Sequence, residues 1–226
     1  MSKQSYRCPT DRRTILKGIG ASGLSIVGLG GTVSARPGQG RSGAKRCDVV
    51  VPDDESTIQD GVDAADPGAT VCVEGSGSPY TEQVIVNKDL TLKGVNDPTI
   101  RAVPTGSATE FTVPESVPNW EPIVFAFGGT ESGGTVSGSG VVDVDVSGFT
   151  VDGDGSQPSA RRKPAIFFRN VDGSISDNTV TNMGVGGKQT FGILAYGDSE
   201  VNVSSNTVRE YERGGIGVVG DGGAHP

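Results

Sequence analysis

The stretch that decides the fold is VDVSGFTV at residues 144–151, because it returns twice along the chain. The second copy is GSISDNTV at residues 173–180, and the third is VNVSSNTV at residues 201–208. The copies begin 29 and 28 residues apart, a period typical of repeat proteins. Small aliphatic residues alternate with polar ones in each copy, so the repeated unit is a strand and not a helix. Strands that return at this period and stack on earlier copies predict an all-β fold, a parallel β-helix.

A second set of apolar strands runs in phase with the first, at residues 165–169, 192–196 and 215–219. A turn rich in Gly and Asp follows each of them, and these residues tolerate the left-handed backbone that sharp corners need. We therefore expect at least two strands per repeat. Asn178 and Asn206 occupy equivalent corners, where their side-chain amides are expected to bond one another along the stack.

The N-terminal segment carries an export signature. Arg12 and Arg13 precede a Gly-rich apolar run at residues 18–33, which ends in small residues. This pattern predicts a twin-arginine signal that is cleaved after Ala35. The alternative is a transmembrane anchor, but the run is short and rich in Gly and Ser, whereas a span needs about 20 strongly apolar residues.

The chain therefore divides into a signal at residues 1–35, a flexible linker at residues 36–46 and one domain at residues 47–226. We expect the mature protein to be secreted or held at the cell surface by the twin-arginine route. Once the signal is removed, no membrane span is expected.

The charge of the chain is unevenly distributed. The whole chain carries a net charge of −8, but nine of its 19 bases precede Cys47. From Cys47 onward, 26 acids face 10 bases, which gives a net charge of −16. Such a surface keeps a protein soluble where salt screens charge strongly, and with the export signal it indicates a halophilic protein. It also argues against a nucleic-acid partner, because no basic face is available to neutralise phosphates.

Two cysteines belong to the predicted domain, Cys47 and Cys72, and they lie 25 residues apart. The strands that contain them are expected to stack as the first two of the domain, which brings the thiols near each other. Outside the cell a disulfide is the natural interpretation, and the alternative is two unconnected small core residues.

One helix is predicted, at residues 56–65, from apolar residues spaced by three and four. Ser56 or Thr57 can cap its start, and Pro67 follows its end. The end of a stack of strands exposes core and unpaired strand edge. We therefore expect this helix to cap the N-terminal end of the domain.

Three segments resemble the N-terminal cap and first coils of the pectin-lyase-like right-handed β-helix superfamily: TIQ at residues 57–59, PGATVCV at 67–73 and LTLKG at 90–94. The later Asn-Thr-Val coils are similar to the parallel β-helix repeats of exported, haloarchaeal-type members. Over residues 47–226 the resemblance implies a right-handed parallel β-helix solenoid with an N-terminal capping helix. The superfamily includes polysaccharide lyases, pectin esterases, glycoside hydrolases, copper-handling accessory proteins and coils with no known chemistry, so fold does not decide among them.

The catalytic signatures of those branches are mostly missing. The only histidine is His225, which disfavours the hydrolase pattern and a copper-handling role. In the lyases that the resemblance implies, an Arg or Lys abstracts the proton α to a uronate carboxylate while Asp-bound Ca²⁺ neutralises the acid. This chain has residues of both types, but neither set aligns with a lyase motif.

The candidate metal ligands are four acids in the first repeat: Asp143, Asp145, Asp152 and Asp154. Four carboxylates among flexible glycines are suited to Ca²⁺, which takes six to eight oxygens. The alternative is halophilic surface acid followed by an Asp-Gly turn. Asp143 is also expected to form an acidic ladder with Asp172 and Glu200 on the next two repeats.

The candidate catalytic residues are Arg161, Arg162 and Arg169, as a base or as a clamp for a substrate carboxylate. The first two lie with Lys163 in an insertion at residues 156–164. The alternative is a loop whose charges pair with neighbouring acids. Three aromatic residues are either sugar-stacking platforms or packing residues: Trp120, Tyr196 and Tyr211.

The sequence therefore predicts an exported β-helix that binds acidic extracellular polysaccharide. If it is catalytic, it is expected to be a Ca²⁺-dependent polysaccharide lyase. The rival interpretation is a non-catalytic β-helix of the cell surface, with a structural role.

The C-terminal segment at residues 220–226 is turn-like and is not expected to cover the last repeat strand. A bare stack end exposes apolar core and an unpaired strand edge. We therefore expect either that the β-helix is C-terminally incomplete or that a second molecule closes the open end by self-association.

Overall fold

The computed structural model describes residues 47–113, 119–155, 162–184 and 189–220. This part of the chain is predominantly β, with parallel sheets and one short helix, in agreement with the predicted all-β class. No helix within it is long and apolar enough to cross a membrane. The predicted signal and linker, including Arg12, Arg13 and Ala35, lie outside the described residues, as does Arg161.

The described elements follow one another along the chain with few interruptions. In chain order they are β1 (Val49–Val51), α1 (Ile58–Ala64), β2 (Ala69–Glu74), β3 (Tyr80–Thr81), β4 (Val84–Val86), β5 (Leu90–Val95), β6 (Thr99–Arg101), β7 (Val124–Phe127), β8 (Thr130–Ser132), β9 (Thr135–Ser137), β10 (Val142–Ser147), β11 (Thr150–Asp152), β12 (Arg162–Arg169), β13 (Val171–Ser176), β14 (Thr179–Thr181), β15 (Gln189–Tyr196), β16 (Val201–Ser204), β17 (Thr207–Val208) and β18 (Gly214–Val219).

These strands form three parallel sheets and one antiparallel hairpin. Sheet A has the order β1-β2-β5-β10-β13-β16, sheet B the order β17-β14-β11-β6-β3, and sheet C the order β18-β15-β12-β7-β4. The hairpin is β8-β9. Each of the three predicted repeats contributes one strand to each sheet.

Each predicted repeat stretch forms two strands in different sheets, with a corner between them. In the first copy β10 ends at Ser147 and β11 begins at Thr150. The corner residues have left-handed backbone: Gly148 (φ 79°), Asp177 (φ 57°) and Ser205 (φ 56°). Because the corner recurs at the same place in each copy, every strand pairs in register with the equivalent strand of the neighbouring repeat.

The register builds columns of apolar side chains inside the stack. In sheet A, Val146 pairs with Leu92 on one side and with Ile175 on the other, and all three are fully buried. The residues between them along each strand point outward and are polar. This burial is the main source of stability, at about 25 cal/mol for each Å² of apolar surface removed from water.

A second apolar cluster covers the outward side of sheet C. Phe125 and Phe167 are partners in the register of β7 and β12, and their rings stack with centroids 5.0 Å apart. Phe111, Trp120 and hairpin residue Val136 pack on this aromatic surface. The segment between β6 and β7 therefore contributes a second layer of packing.

The helix is confirmed at one end of the described stack. Thr57 is the N-cap, since its Oγ1 accepts a hydrogen bond from Asp60 N at 3.0 Å. The carboxylate of Glu82 also accepts from the backbone N–H groups of Ile58 (3.0 Å) and Gln59 (2.9 Å). The apolar face of α1 packs on β1, β2 and β4, as expected for a cap.

Next to this helix, Cys47 and Cys72 are joined in a disulfide, with their Cα atoms 5.5 Å apart. The bond links Cys72 in β2 to the residue two positions before β1, the strand that pairs with β2. It ties the start of the described chain to the second strand of sheet A.

Strand β18 forms one edge of sheet C, and β4 forms the other. Its residues Ile216 and Val218 are 54% and 78% exposed. Self-association through this edge stays a prediction.

The amide stack is confirmed at the corners between sheets A and B. The side chain of Asn178 donates to Asn206 Oδ1 (3.1 Å) and to the carbonyl of Val146 (3.0 Å), and it accepts from Phe149 N (3.0 Å). Asn178 is only 1% exposed. This amide therefore satisfies backbone groups that the corner has buried.

We predict that Asn178→Ala lowers the free energy of unfolding by about 3 kcal/mol, because it leaves buried backbone groups without partners. Asn202→Ala, on the exposed face of β16, is the matched control and should change it by less than about 0.5 kcal/mol. Urea denaturation followed by circular dichroism measures both. Equal losses in the two variants would show that the corner amide has no special role.

Candidate functional site

A cleft of about 300 Å³ opens where β12 and β15 end, beside the segment that follows the β8-β9 hairpin. Its lining residues are Gly138, Ser139, Arg169, Asn170, Tyr196, Gly197 and Asp198. The volume is at the lower end of the range for pockets that bind small molecules. One of the predicted catalytic residues, Arg169, therefore lines this cleft.

Strand geometry directs Arg169 away from the interior. Phe168 belongs to the inner core, so its neighbours in β12, Phe167 and Arg169, lie on the outward side of sheet C. Arg169 is only 2% exposed, and its Nη1 donates to the carbonyls of Gly128 (3.1 Å) and Gly138 (3.2 Å). A guanidinium carries five N–H donors in a fixed fork, so these bonds hold it in one orientation.

Asn170 fixes the corner that forms the floor of the cleft. Its backbone is left-handed, with φ 53°, and the residue is only 5% exposed. The amide donates to the carbonyl of Gly138 (3.0 Å) and accepts from Asp198 N (3.0 Å). Gly197 has φ 69°, and a Cβ atom there would collide with Asn170 Oδ1. The cleft is therefore shaped before any ligand arrives.

The cleft combines three kinds of chemical group. Arg169 supplies a buried positive charge, and Asp198 and Ser139 are exposed at the rim. Tyr196 supplies an aromatic wall, held edge-on against Phe167 with centroids 6.4 Å apart. Such a set can bind a carboxylate, hydrogen-bond hydroxyl groups and pack against C–H groups.

A second cavity, between Glu82, Glu121 and Lys163, is much smaller, with about 10 Å³ of free space. That is room for about one water molecule. It cannot hold a substrate without rearrangement, so the Arg169 cleft is the better candidate.

Asp152 and Asp154, two of the predicted calcium ligands, lie together around Arg101. Arg101 Nε is 3.0 Å from Asp152 Oδ2 and 3.8 Å from Asp154 Oδ1. Burial raises the pKa of Asp152, but hydrogen bonds from Asp154 N, Asn182 and Arg101 outweigh it, so that the pKa is lowered overall. These carboxylates already have a cation as partner.

The other two predicted ligands, Asp143 and Asp145, lie on β10 in sheet A. Asp145 accepts a hydrogen bond from Ser174 Oγ on the neighbouring strand. Within the described ranges no group of three acidic, His or Cys residues could hold a metal ion. The four carboxylates are therefore not brought together into one calcium site. Calcium binding stays a prediction.

The acidic ladder on the outward side of sheet A is present and longer than predicted. Asp143 is the register partner of Asp172, and Asp172 Oδ1 accepts from Glu200 N at 3.2 Å. Asp89, which precedes β5, continues the column, since its carboxylate accepts from Asp143 N at 2.9 Å. These bonds give the acids a structural role along the edge of the sheet.

Arg162 lies at the opposite end of β12 from the cleft. Its Cζ atom is 4.9 Å from the ring centroid of Trp120 and 6.0 Å from that of Phe191. Cation–π contacts of this kind hold the side chain on the aromatic surface. Trp120 itself is 1% exposed and Tyr196 5%, so packing accounts for both, whereas Tyr211 is 41% exposed.

Sequence reasoning missed Asn170, Asp198 and Lys163. Asn170 follows β12 and Asp198 follows β15, each in a corner rich in Gly and Asp. The recurrence of this corner in the sequence could have pointed to both residues. Lys163 was grouped with the loop cluster, but it is only 5% exposed, and its Nζ donates to the carbonyl of Gly153 at 3.0 Å. The apolar run that begins at Pro164 was the sign that β12 starts earlier than predicted.

Comparisons of this chain with protein-family models, with curated proteins and with solved structures found no match. Its function is therefore inferred from the site itself.

Lys163 makes the stability of the domain depend on pH. Burial lowers the pKa of its ammonium group, against the opposing effect of Glu121, Asp154 and Asp152. Between the lowered value in the folded state and the ordinary value of 10.5, the unfolded chain binds more protons than the folded one. Stability from this group therefore rises with pH across that window and is constant below it.

We predict that the free energy of unfolding of the wild type rises relative to Lys163→Met as the pH increases toward 10.5. Denaturant titrations at a series of pH values measure this difference. Lys93→Met, on the outward side of β5, should follow the wild type. A constant difference between the wild type and Lys163→Met at every pH would contradict the argument.

Proposed function

We propose that this chain is an exported right-handed parallel β-helix that binds acidic polysaccharide, with a uronate residue held in the Arg169 cleft. The β-helix is inferred from the sheet order, in which each repeat adds one strand to each of three parallel sheets. It agrees with the resemblance of the sequence to the pectin-lyase-like superfamily. Export outside the cell rests on Arg12 and Arg13 and stays a prediction.

The observation that carries the proposal is a buried arginine in a preformed cleft of an acidic domain. Attraction between charges is stronger where water is excluded, and salt screens it less there than at the surface. Arg169 can therefore hold a carboxylate at high ionic strength, where exposed cations cannot. The net charge of −16 on the domain repels an acidic ligand. This repulsion is best offset when the ligand places its carboxylate beside the guanidinium of Arg169.

The other groups of the cleft fit the rest of a sugar residue. Asp198 and Ser139 can accept and donate hydrogen bonds to ring hydroxyls. Tyr196 lines the cleft beside them, with its ring packed against Phe167. A guanidinium forms charge-assisted hydrogen bonds with a carboxylate and not with a neutral sugar, so the site should discriminate between uronates and their neutral analogues.

The rival function is a structural β-helix in which Arg169 only ties β12 to the hairpin through Gly128 and Gly138. The two functions differ in whether the cleft binds a free ligand. Cleavage of the bound polymer would be an addition to binding, and no step through calcium is derived because the described acids do not form a site for it.

The test is isothermal titration of the protein with D-galacturonate and, as the matched neutral ligand, D-galactose. We predict that galacturonate binds and galactose does not. Arg169→Gln should weaken galacturonate binding by about tenfold to hundredfold, since a charge-assisted hydrogen bond contributes about 1.5–3 kcal/mol. Binding at high salt should persist, because the guanidinium of Arg169 is buried.

Arg169→Gln is also a test of folding, so its circular dichroism and melting curve are needed beside the titration. Ser139→Ala, at the exposed rim, gives a second variant that should fold normally and bind several-fold more weakly, because it loses a hydrogen bond to a ring hydroxyl. Arg209→Gln, an exposed arginine near sheet B, is the control and should bind as the wild type does. Equal binding of both sugars, or of neither, would refute the proposed site, and ultraviolet absorbance of unsaturated products would reveal any cleavage.

A further inference from the structure

The sequence contains one acceptor motif for N-linked glycosylation. Of the eight asparagines in the chain, only Asn202 begins an Asn-x-Ser/Thr motif, in the segment Asn202-Val203-Ser204. The side-chain amide of such a motif receives the glycan, and the hydroxyl two residues later is needed for recognition. Since a motif of three residues also occurs by chance, its structural context decides whether it can be modified.

Strand geometry places both groups of the motif on the outward side of sheet A. Val201 and Val203 in β16 are half-buried and pack against the inner core, whereas Asn202 and Ser204 are exposed. Residues two apart on a strand lie on the same face of the sheet. The acceptor amide and the hydroxyl are therefore neighbours on one surface that an enzyme can reach.

Asn202 differs from the asparagines that hold the corners of the repeats. Asn170, Asn178 and Asn206 all use their side-chain amides in hydrogen bonds to the backbone. Within the described part of the chain, the side chains of Asn202 and Ser204 form no hydrogen bond. Modification of Asn202 therefore removes no hydrogen bond on which the fold depends.

The surroundings of Asn202 leave room for a first sugar residue. A groove of about 480 Å³ is lined by Asp172, Gly173, Glu200, Val201 and Asn202. On the neighbouring strand β13, the register partner of Asn202 is Ser174, and that of Val201 is Gly173. Both partners are small, so neither of them covers the acceptor amide.

Strand β16 also has an accessible backbone edge. It is the outermost described strand of sheet A and pairs with β13 on one side. It is four residues long, and the left-handed corner at Ser205 follows it directly. A short strand that is bonded on one side opens at lower cost than a central strand. This position suits an enzyme that has to modify a chain after it has folded.

We propose that Asn202 is N-glycosylated during export by a membrane transferase that uses a lipid-phosphate-linked oligosaccharide. Asn202 Nδ2 attacks the anomeric carbon of the first sugar and forms a C–N bond. The bond from that carbon to the phosphate oxygen breaks, the lipid phosphate leaves with the electron pair, and the amide gives up one proton. The inference rests on the export that is part of the proposed function, because the transferase meets only exported chains.

The experiment is expression of the full chain in a haloarchaeal host and mass spectrometry of tryptic peptides from the secreted protein. Trypsin releases residues 189–209 as one peptide, because it cleaves after Lys188 and Arg209. We expect this peptide to gain the mass of an oligosaccharide. Fragmentation should place the gain on Asn202 and not on Asn206.

Two variants of Ser204 separate recognition of the motif from simple exposure of the amide. Ser204→Ala should be secreted without the gain in mass, although Asn202 is intact, and Ser204→Thr should keep the gain because threonine supplies the same hydroxyl. Asn87→Gln, which removes an exposed asparagine outside any such motif, should also keep it. Protein made in a bacterial host that lacks the transferase should be unmodified, so the denaturation and titration experiments can use the bare chain.

The outcomes distinguish this inference from the proposed export. A secreted wild type whose peptide 189–209 has its unmodified mass would overturn the inference and leave the export intact. A gain that persists in Ser204→Ala would also overturn it. A wild-type chain that stays in the cytoplasm would contradict the export itself, and the inference would fail with it. Replacement of Arg12 and Arg13 by Lys should hold the precursor in the cell without the gain.

Discussion

The structure depends on one constraint, the in-register pairing of parallel strands from successive repeats. Each strand can keep its register only if the corner before the next sheet has the same length in every repeat. Gly148, Asp177 and Ser205 provide that corner with left-handed backbone, and Asn178 satisfies the groups that it buries. Every column of side chains, inside and outside, inherits its alignment from these corners. The sites on the surface are therefore consequences of the stacking.

Sheet C shows how this constraint produces a candidate site. Parallel pairing of β7, β12 and β15 sets Phe127, Arg169 and Tyr196 in one column. The left-handed corner at Asn170 then turns the chain beside them and encloses the cleft. Burying an arginine is costly, and the carbonyls of Gly128 and Gly138, on either side of the hairpin, offset part of that cost by accepting hydrogen bonds from its Nη1. Burial also reduces the screening of its charge by salt.

Local sequence patterns were sufficient to predict the strands, the corners and the helix. The alternation in residues 144–151, the helix capped by Thr57 and the stacked amides of Asn178 and Asn206 all follow from local rules of strands, caps and corners. Long-range features could not be read in this way. The sharing of Arg101 by Asp152 and Asp154, and the grouping of Phe191 with two arginines, depend on which residues the register aligns over 22 to 53 positions of chain. The four predicted calcium ligands are not brought together for the same reason, since β10 and β11, which carry three of them, belong to different sheets.

The most direct measurement is a crystal structure of the protein grown with trigalacturonate. We predict density for a uronate whose carboxylate lies within hydrogen-bond distance of Arg169, with its ring beside Tyr196 and its hydroxyls toward Asp198. We also expect the three parallel sheets in the register described above. A uronate bound elsewhere, or a cleft that holds only water at saturating ligand, would contradict the claim that the stacking of repeats has built a site for acidic sugars.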